Sequence, residues 1–252
     1  MIHYFRQLTA RERSERTDRH LAWFLTFIAG AANAGGFMAV QQYTSHMSGI
    51  VSAMADNLVL GNLSLVLAGL GAFLSFVAGA AVSAILVNWG RRARATSEYA
   101  LPLLLESLLL LLFGLLGPLL DPHVLLVVPA TVSLLCFIMG LQNAMITKLS
   151  QARIRTTHIT GLVTDMGIEI GKALYVNTDE RLAPVRADGA KLALLASLVG
   201  LFFAGGVFGA LAFRSIGFPA AILLAVLVAL LAVLPVLDDA RHLIGRGGKS
   251  AR

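Results

Sequence analysis

Two short stretches of this sequence carry polar groups of the kinds that bind small solutes. The first, SHMSGIVSAMADNL at residues 45–58, and the second, THITGLVTDMGIEI at residues 157–170, each interrupt long apolar runs. An imidazole can donate, accept or exchange a proton near neutral pH. Hydroxyls cap helices or donate hydrogen bonds, and glycine lets a ligand or another backbone approach closely. The stretches therefore indicate either a site for a small polar or anionic molecule or two capped, tightly packed helix starts.

The two stretches belong to an internal repeat. When His46 is aligned with His158, four positions are identical and Ser48 falls opposite Thr160. Upstream, FIAGAANA at 27–34 matches FIMGLQNA at 137–144 at five of eight positions. Downstream, AGAAVSA at 78–84 resembles AGGVFGA at 204–210. We therefore predict two repeats, 21–122 and 123–237, between a basic N-terminal segment, 1–20, and a basic tail, 238–252.

The composition predicts that these repeats lie in a membrane. Hydrophobic residues make up 57% of the chain and charged residues 13%, against about 25% charged in soluble domains. Six apolar runs are long enough to cross a hydrocarbon core of about 30 Å, and each must be a helix because lipid offers no hydrogen bonds. The predicted spans are 21–40, 63–89, 100–120, 124–146, 190–213 and 217–237.

The basic residues predict the orientation of the spans. They fall at the N-terminus, between the second and third spans, between the fourth and fifth, and in the tail. Basic loops stay in the cytoplasm, so both termini are expected there, in a bacterial inner membrane. Three crossings per half make the two halves an inverted repeat. The polar stretches become re-entrant half-helices from opposite faces; the alternative is that both span, giving eight helices.

The half-helix starts are the predicted binding site. A helix N-terminus presents open N–H groups and a partial positive charge near the bilayer centre. Two asparagines late in the first and fourth spans either line the same pathway or hold the broken backbone. The predicted substrate-binding residues are His46, Ser48, Gly49, His158, Thr160, Gly161, Asn33 and Asn143.

Four carboxylates are candidates for coupling a proton or a cation to the solute, because ionisable groups inside a membrane are costly and often functional. Asp56 has no acidic counterpart in the second half, and Asp165 and Glu169 share one helix face. Glu169 could instead pair with Lys172. Glu106, one turn beyond Pro102, could instead pair with an arginine among Arg91, Arg92 and Arg94.

The blocks AGAANAGGF…SHMSG and MGLQNA…TTHITG resemble those of the YoaK family of uncharacterised bacterial membrane proteins, from about Trp23 to Leu237. The resemblance implies a six-span membrane protein and no particular substrate. This chain differs from the family pattern in having Ile50 after the first glycine, and Asn33 where the family often has aspartate. Neither a polar role at residue 50 nor an acidic role at residue 33 carries over.

The leading hypothesis is a transporter or channel for a small polar or anionic solute, with no enzymatic activity. The alternatives are a membrane scaffold or regulator without transport and an intramembrane enzyme that uses His46 with Ser48 or His158 with Asp165. We expect the lipid bilayer as a partner, no nucleic acid, no metal and no cofactor. The small residues of the second and fifth spans could also pack two copies into a homodimer.

Overall fold

The structure is a computed structural model that describes residues 15–93, 97–117, 127–149, 159–178 and 181–247. Within these ranges the chain is all-helical and contains no strand, as predicted. In chain order the helices are α1 (Glu15–Val40), α2 (Met47–Val59), α3 (Leu63–Arg92), α4 (Ala100–Leu116), α5 (Val127–Leu149), α6 (Ile159–Leu174), α7 (Gly189–Ile216) and α8 (Ala220–Gly247).

Four helices of the described chain are long and apolar enough to cross a membrane. They are Thr17–Val40, Leu63–Arg92, Pro129–Lys148 and Gly189–Ile216, which lie in α1, α3, α5 and α7. The other two predicted spans correspond to α4 and α8, whose apolar parts, Ala100–Leu115 and Ala220–Val233, are shorter. The structure therefore shows a helical protein of membrane type with four helices of spanning length.

The two polar stretches form the short helices α2 and α6. With 13 and 16 residues, they rise about 20 Å and 24 Å, less than the roughly 30 Å hydrocarbon core. Each packs antiparallel on the long helix that follows it. The Met54 side chain lies against Gly69, and Ile50 shares an apolar cluster with Ala72. The start of α2 therefore points toward the middle of α3.

Contacts between the long helices fix their relative directions. Trp23 bonds to Ser197, and Gly35 lies against the Phe213 ring, so α1 and α7 are parallel. The pairs Gly71–Ser133 and Asn88–Lys148 make α3 and α5 parallel. The pairs Ser107–Ala225 and Gly117–Phe218 make α4 and α8 antiparallel.

Short turns reverse the chain between α3 and α4, where Gly90 lies against Glu98, and between α7 and α8, where Gly217 has a φ of 67°. When these reversals are combined with the pairings above, α1 and α3 run in opposite directions. The same holds for α5 and α7, and for α1 and α5.

The core sits around α1 and α5. Their apolar segments are 56% and 61% buried, whereas those of α3 and α7 are 22% buried. Burial at α1 and α5 comes from close backbone crossings: Gly30 lies on the Phe202 carbonyl and Gly140 on the Phe76 carbonyl. The outward faces of α3 and α7 expose large apolar side chains, which suits contact with lipid.

Candidate functional site

The start of α2 carries open backbone donors. His46 precedes the helix with φ −92° and ψ 71°, and its side chain makes no capping hydrogen bond. The N–H of Ile50 donates to the His46 carbonyl at 3.1 Å, but within the described residues the N–H groups of Ser48 and Gly49 have no partner. Open N–H groups at a helix N-terminus attract anions.

The imidazole of His46 lies over Gly49. A Cβ placed on Gly49 would come within 2.7 Å of Nδ1 of His46, so a larger residue there would displace the ring. His46 and Ser48 are exposed, and Gly49 is half-buried. Their imidazole, hydroxyl and N–H groups are therefore accessible from outside the chain.

Asn33 on α1 holds the backbone that leads into α2. It is buried, and its Oδ1 accepts the Ser45 hydroxyl at 2.8 Å and the Ser45 N–H at 3.4 Å. Asn33 was expected either to line a pathway or to hold the backbone between helices, and these contacts match the second role. Asn143, its counterpart on α5, donates from Nδ2 to the Met139 carbonyl of its own helix at 2.9 Å.

The second polar stretch is described from residue 159 onward, so His158 lies outside the described residues. Thr160 and Gly161 are exposed in the first turn of α6. Leu162 packs in an apolar cluster with Leu195 and Leu198 of α7, separate from the cluster that holds Ile50 of α2. The two predicted half-sites therefore lie on different long helices.

Glu169 is buried and fully engaged. Its carboxylate accepts the Asp188 N–H at 3.0 Å and pairs with Lys172 at 3.0 Å and Lys191 at 3.3 Å. The Asp188 N–H, followed by the two lysines, lowers the pKa of the Glu169 carboxyl to about 2. The predicted pairing with Lys172 is present, and the whole arrangement ties the end of α6 to the start of α7.

The other acidic candidates have different surroundings. Asp56 is exposed and Asp165 is half-buried, and neither forms an ion pair within the described ranges. The alternative pairing of Glu106 with an arginine is absent for Arg91, which bonds to Glu98 at 2.6 Å, and for Arg92, whereas Arg94 lies outside the described residues. Glu106 is instead buried and accepts a hydrogen bond from Nε2 of Gln142 at 2.9 Å.

Gln142 is a site residue that sequence reasoning missed. It stands in FIMGLQNA where the first repeat has Ala32 in FIAGAANA. An amide that replaces an apolar residue inside a span needs a buried partner. The difference between Gln142 and Ala32 could therefore have indicated a buried partner for Gln142. Glu106 was the one acidic residue in the neighbouring span 100–120.

The helices and the polar helix starts define a helical protein of membrane type. Residues 21–234 match the family model described as "Protein of unknown function (DUF1275)". The chain therefore belongs to this uncharacterised family. No curated protein and no solved structure matches the chain. The YoaK resemblance consequently rests on the sequence motifs alone.

Proposed function

We propose that this chain is a multi-pass membrane transporter or channel for a small polar or anionic solute. The solute binds at the starts of the half-helices α2 and α6, near the bilayer midplane. One observation carries this proposal: at the start of α2, the N–H groups of Ser48 and Gly49 are open beside the accessible imidazole of His46.

The directions of the long helices support two re-entrant segments. A short helix that joins two long helices of opposite direction leaves and returns at the same face. That condition holds for α2 between α1 and α3 and for α6 between α5 and α7. Because α1 and α5 are themselves opposed, the two short helices enter from opposite faces. This pattern favours six crossings in a 3+3 inverted repeat over eight crossings.

Equivalent contacts in the two halves also support the repeat. Gly30 on the Phe202 carbonyl corresponds to Gly140 on the Phe76 carbonyl. Gly79 on the Phe137 carbonyl corresponds in the same way to Gly205 on the Phe27 carbonyl. In both cases the first helix of one half crosses the long helix after the polar stretch of the other half.

The depth of α2 supports binding near the midplane. The start of α2 reaches toward the middle of α3, so its partial positive charge lies far from both ends of that helix. A half-helix start at this depth suits an anionic group. In the second half, His158, Thr160 and Gly161 supply the corresponding imidazole, hydroxyl and N–H groups.

Coupling to a proton or cation is assigned to Asp56 and Asp165, because Glu169 is already neutralised by two lysines. A cytoplasmic N-terminus is supported by the arginines of the first segment, Arg6, Arg11, Arg13, Arg16 and Arg19. Six crossings then return the tail to the same side of a bacterial inner membrane.

Entry of small solutes into vesicles tests this function. The purified chain is placed in phosphatidylethanolamine and phosphatidylglycerol vesicles, and stopped-flow light scattering follows the entry of chloride, formate, phosphate, urea and glycerol. At least one of these probes should enter faster than into empty vesicles. The proposal is refuted if every probe enters at the rate of empty vesicles.

Variants at the start of α2 test the site. Loss of one hydrogen bond to a charged group, about 1.4 kcal/mol, corresponds to roughly a tenfold effect. His46→Ala and Ser48→Ala should therefore slow entry about tenfold. Ser52→Ala is the matched control, because Ser52 is exposed on the same helix one turn further on. Unchanged entry through His46→Ala would show that the site is assigned wrongly.

A further inference from the structure

A buried polar pair joins the two halves of the chain. Glu106 on α4 and Gln142 on α5 are each 1% exposed, and Nε2 of Gln142 donates to Oε1 of Glu106 at 2.9 Å. Leu103 and Leu110, one turn to either side of Glu106 on the same helix, belong to the main apolar core. The pair therefore lies in apolar surroundings.

The hydrogen bonds of this pair are incomplete if Glu106 is a carboxylate. Oε2 of Glu106 and Oε1 of Gln142 are both buried and have no partner within the described residues. An ionised carboxylate only accepts hydrogen bonds, so the two remaining oxygens lack a donor. A carboxylic acid adds one O–H, and an acid and a primary amide can then form two reciprocal hydrogen bonds.

The charges around Glu106 also favour the neutral acid. An ionised carboxylate in a buried apolar interior is strongly disfavoured without a partner of opposite charge. No ion pair to Glu106 exists in the described part of the chain: Arg91 binds Glu98, Lys148 binds Asn88, and Arg92 is exposed at the end of α3. The titratable residues of the helices packed on α4 are Arg91 and Arg92 of α3, Cys136 and Lys148 of α5, and Asp238, Asp239, Arg241, His242 and Arg246 of α8. Residues 220–233 of α8, which include Ala225 beside Ser107, contain none.

We propose that Glu106 is a proton-binding site inside the membrane, where it is held as a neutral carboxylic acid whose O–H donates to Oε1 of Gln142. When the proton leaves, the O–H···O bond is lost and two bare acceptors face one another. Release therefore requires water to enter between α4 and α5. Any use of this proton in solute coupling rests on the proposed function, whereas the protonation itself does not.

Infrared difference spectroscopy of the full chain in lipid vesicles at neutral pH tests the site without any solute. The native minus Glu106→Gln difference should contain the carbonyl band of one carboxylic acid, and this band should shift in D₂O. Gln142→Leu should keep the acid band but move it to higher frequency, because the hydrogen bonds from the amide are gone. Glu98→Gln is the control, since Glu98 is paired with Arg91, and it should leave the acid band unchanged.

Two results would overturn the assignment. One is a native minus Glu106→Gln difference that contains a carboxylate band in place of the acid band. The other is an acid band that Gln142→Leu leaves in position. Glu106→Gln preserves the shape of the side chain and can form a reciprocal amide pair, so folding is retained. The infrared bands are measured without any solute, so they do not depend on the vesicle-entry test. The proposed function and the protonation of Glu106 can therefore be refuted separately.

Discussion

Replacement of Gly205 by alanine tests how the long helices are held together. A Cβ on Gly205 would lie 2.8 Å from the carbonyl carbon of Phe27 and would overlap the carbonyl oxygen, whereas ordinary contacts begin at 3.4 Å. The obstacle is backbone, which cannot rotate away as a side chain can. The crossing of α1 and α7 must therefore open by at least several tenths of an ångström. Overpacking of this kind costs about 1–3 kcal/mol.

The assay is thermal unfolding of the purified chain in detergent, with Gly200→Ala as the matched control. Gly200 lies on the same helix, and a Cβ there meets nothing within 4 Å. Alanine at residue 200 should leave the midpoint unchanged or raise it, because alanine favours helix by up to about 1 kcal/mol over glycine. Gly205→Ala should lower the midpoint, and Gly79→Ala should do the same at the equivalent crossing. Equal unfolding midpoints for Gly205→Ala and Gly200→Ala would refute the close backbone crossing of α1 and α7.

Two further predictions concern the polar anchors of α2 and α6. The pKa of Glu169 is lowered to about 2 from an ordinary 4.5, so its ionised form stabilises the fold above pH 4.5 and this contribution is lost as the pH falls toward 2. The difference in melting midpoint between the native chain and Glu169→Gln should therefore shrink over that interval, and a difference independent of pH would contradict the ion cluster. Asn33→Ala removes the acceptor of the Ser45 hydroxyl and N–H and should cost about 0.5–1.5 kcal/mol per bond. Hydrogen exchange should then speed up at residues 41–46, and unchanged exchange there would exclude the tether.

Much of the fold could be predicted because apolar length and backbone bonding in lipid leave few choices. The predicted spans 63–89 and 190–213 correspond to α3, Leu63–Arg92, and α7, Gly189–Ile216. The polar stretches were predicted as short helices because their glycine, serine and threonine residues fit helix starts. The ends were less predictable: α1 begins at Glu15, six residues before the predicted start, because charged residues continue a helix beyond the apolar run.

The pairing of polar groups was predictable only where both partners are close in sequence. Glu169 and Lys172 are one turn apart, and their pairing was anticipated. Lys191 and the Asp188 N–H join the same carboxylate only because α6 packs back on α7. The partner of Glu106 was missed for a similar reason, since Gln142 lies 36 positions away and reaches it through the packing of α4 on α5.

The repeat is kept at two pairs of glycine crossings and at Asn33 and Asn143, and it is broken at Gln142 and Glu169. The crossings of Gly30 and Gly205 have counterparts at Gly140 and Gly79, and each of the four is set by contact with a backbone carbonyl. By contrast, Gln142 stands opposite Ala32, and the buried Glu169 stands opposite the half-buried Asn57. A buried charge or amide persists only with a specific partner, so these two substitutions must have been accompanied by partners on other helices. The second half consequently anchors α6 through an ion cluster, whereas in the first half the amide of Asn33 holds the backbone that leads into α2.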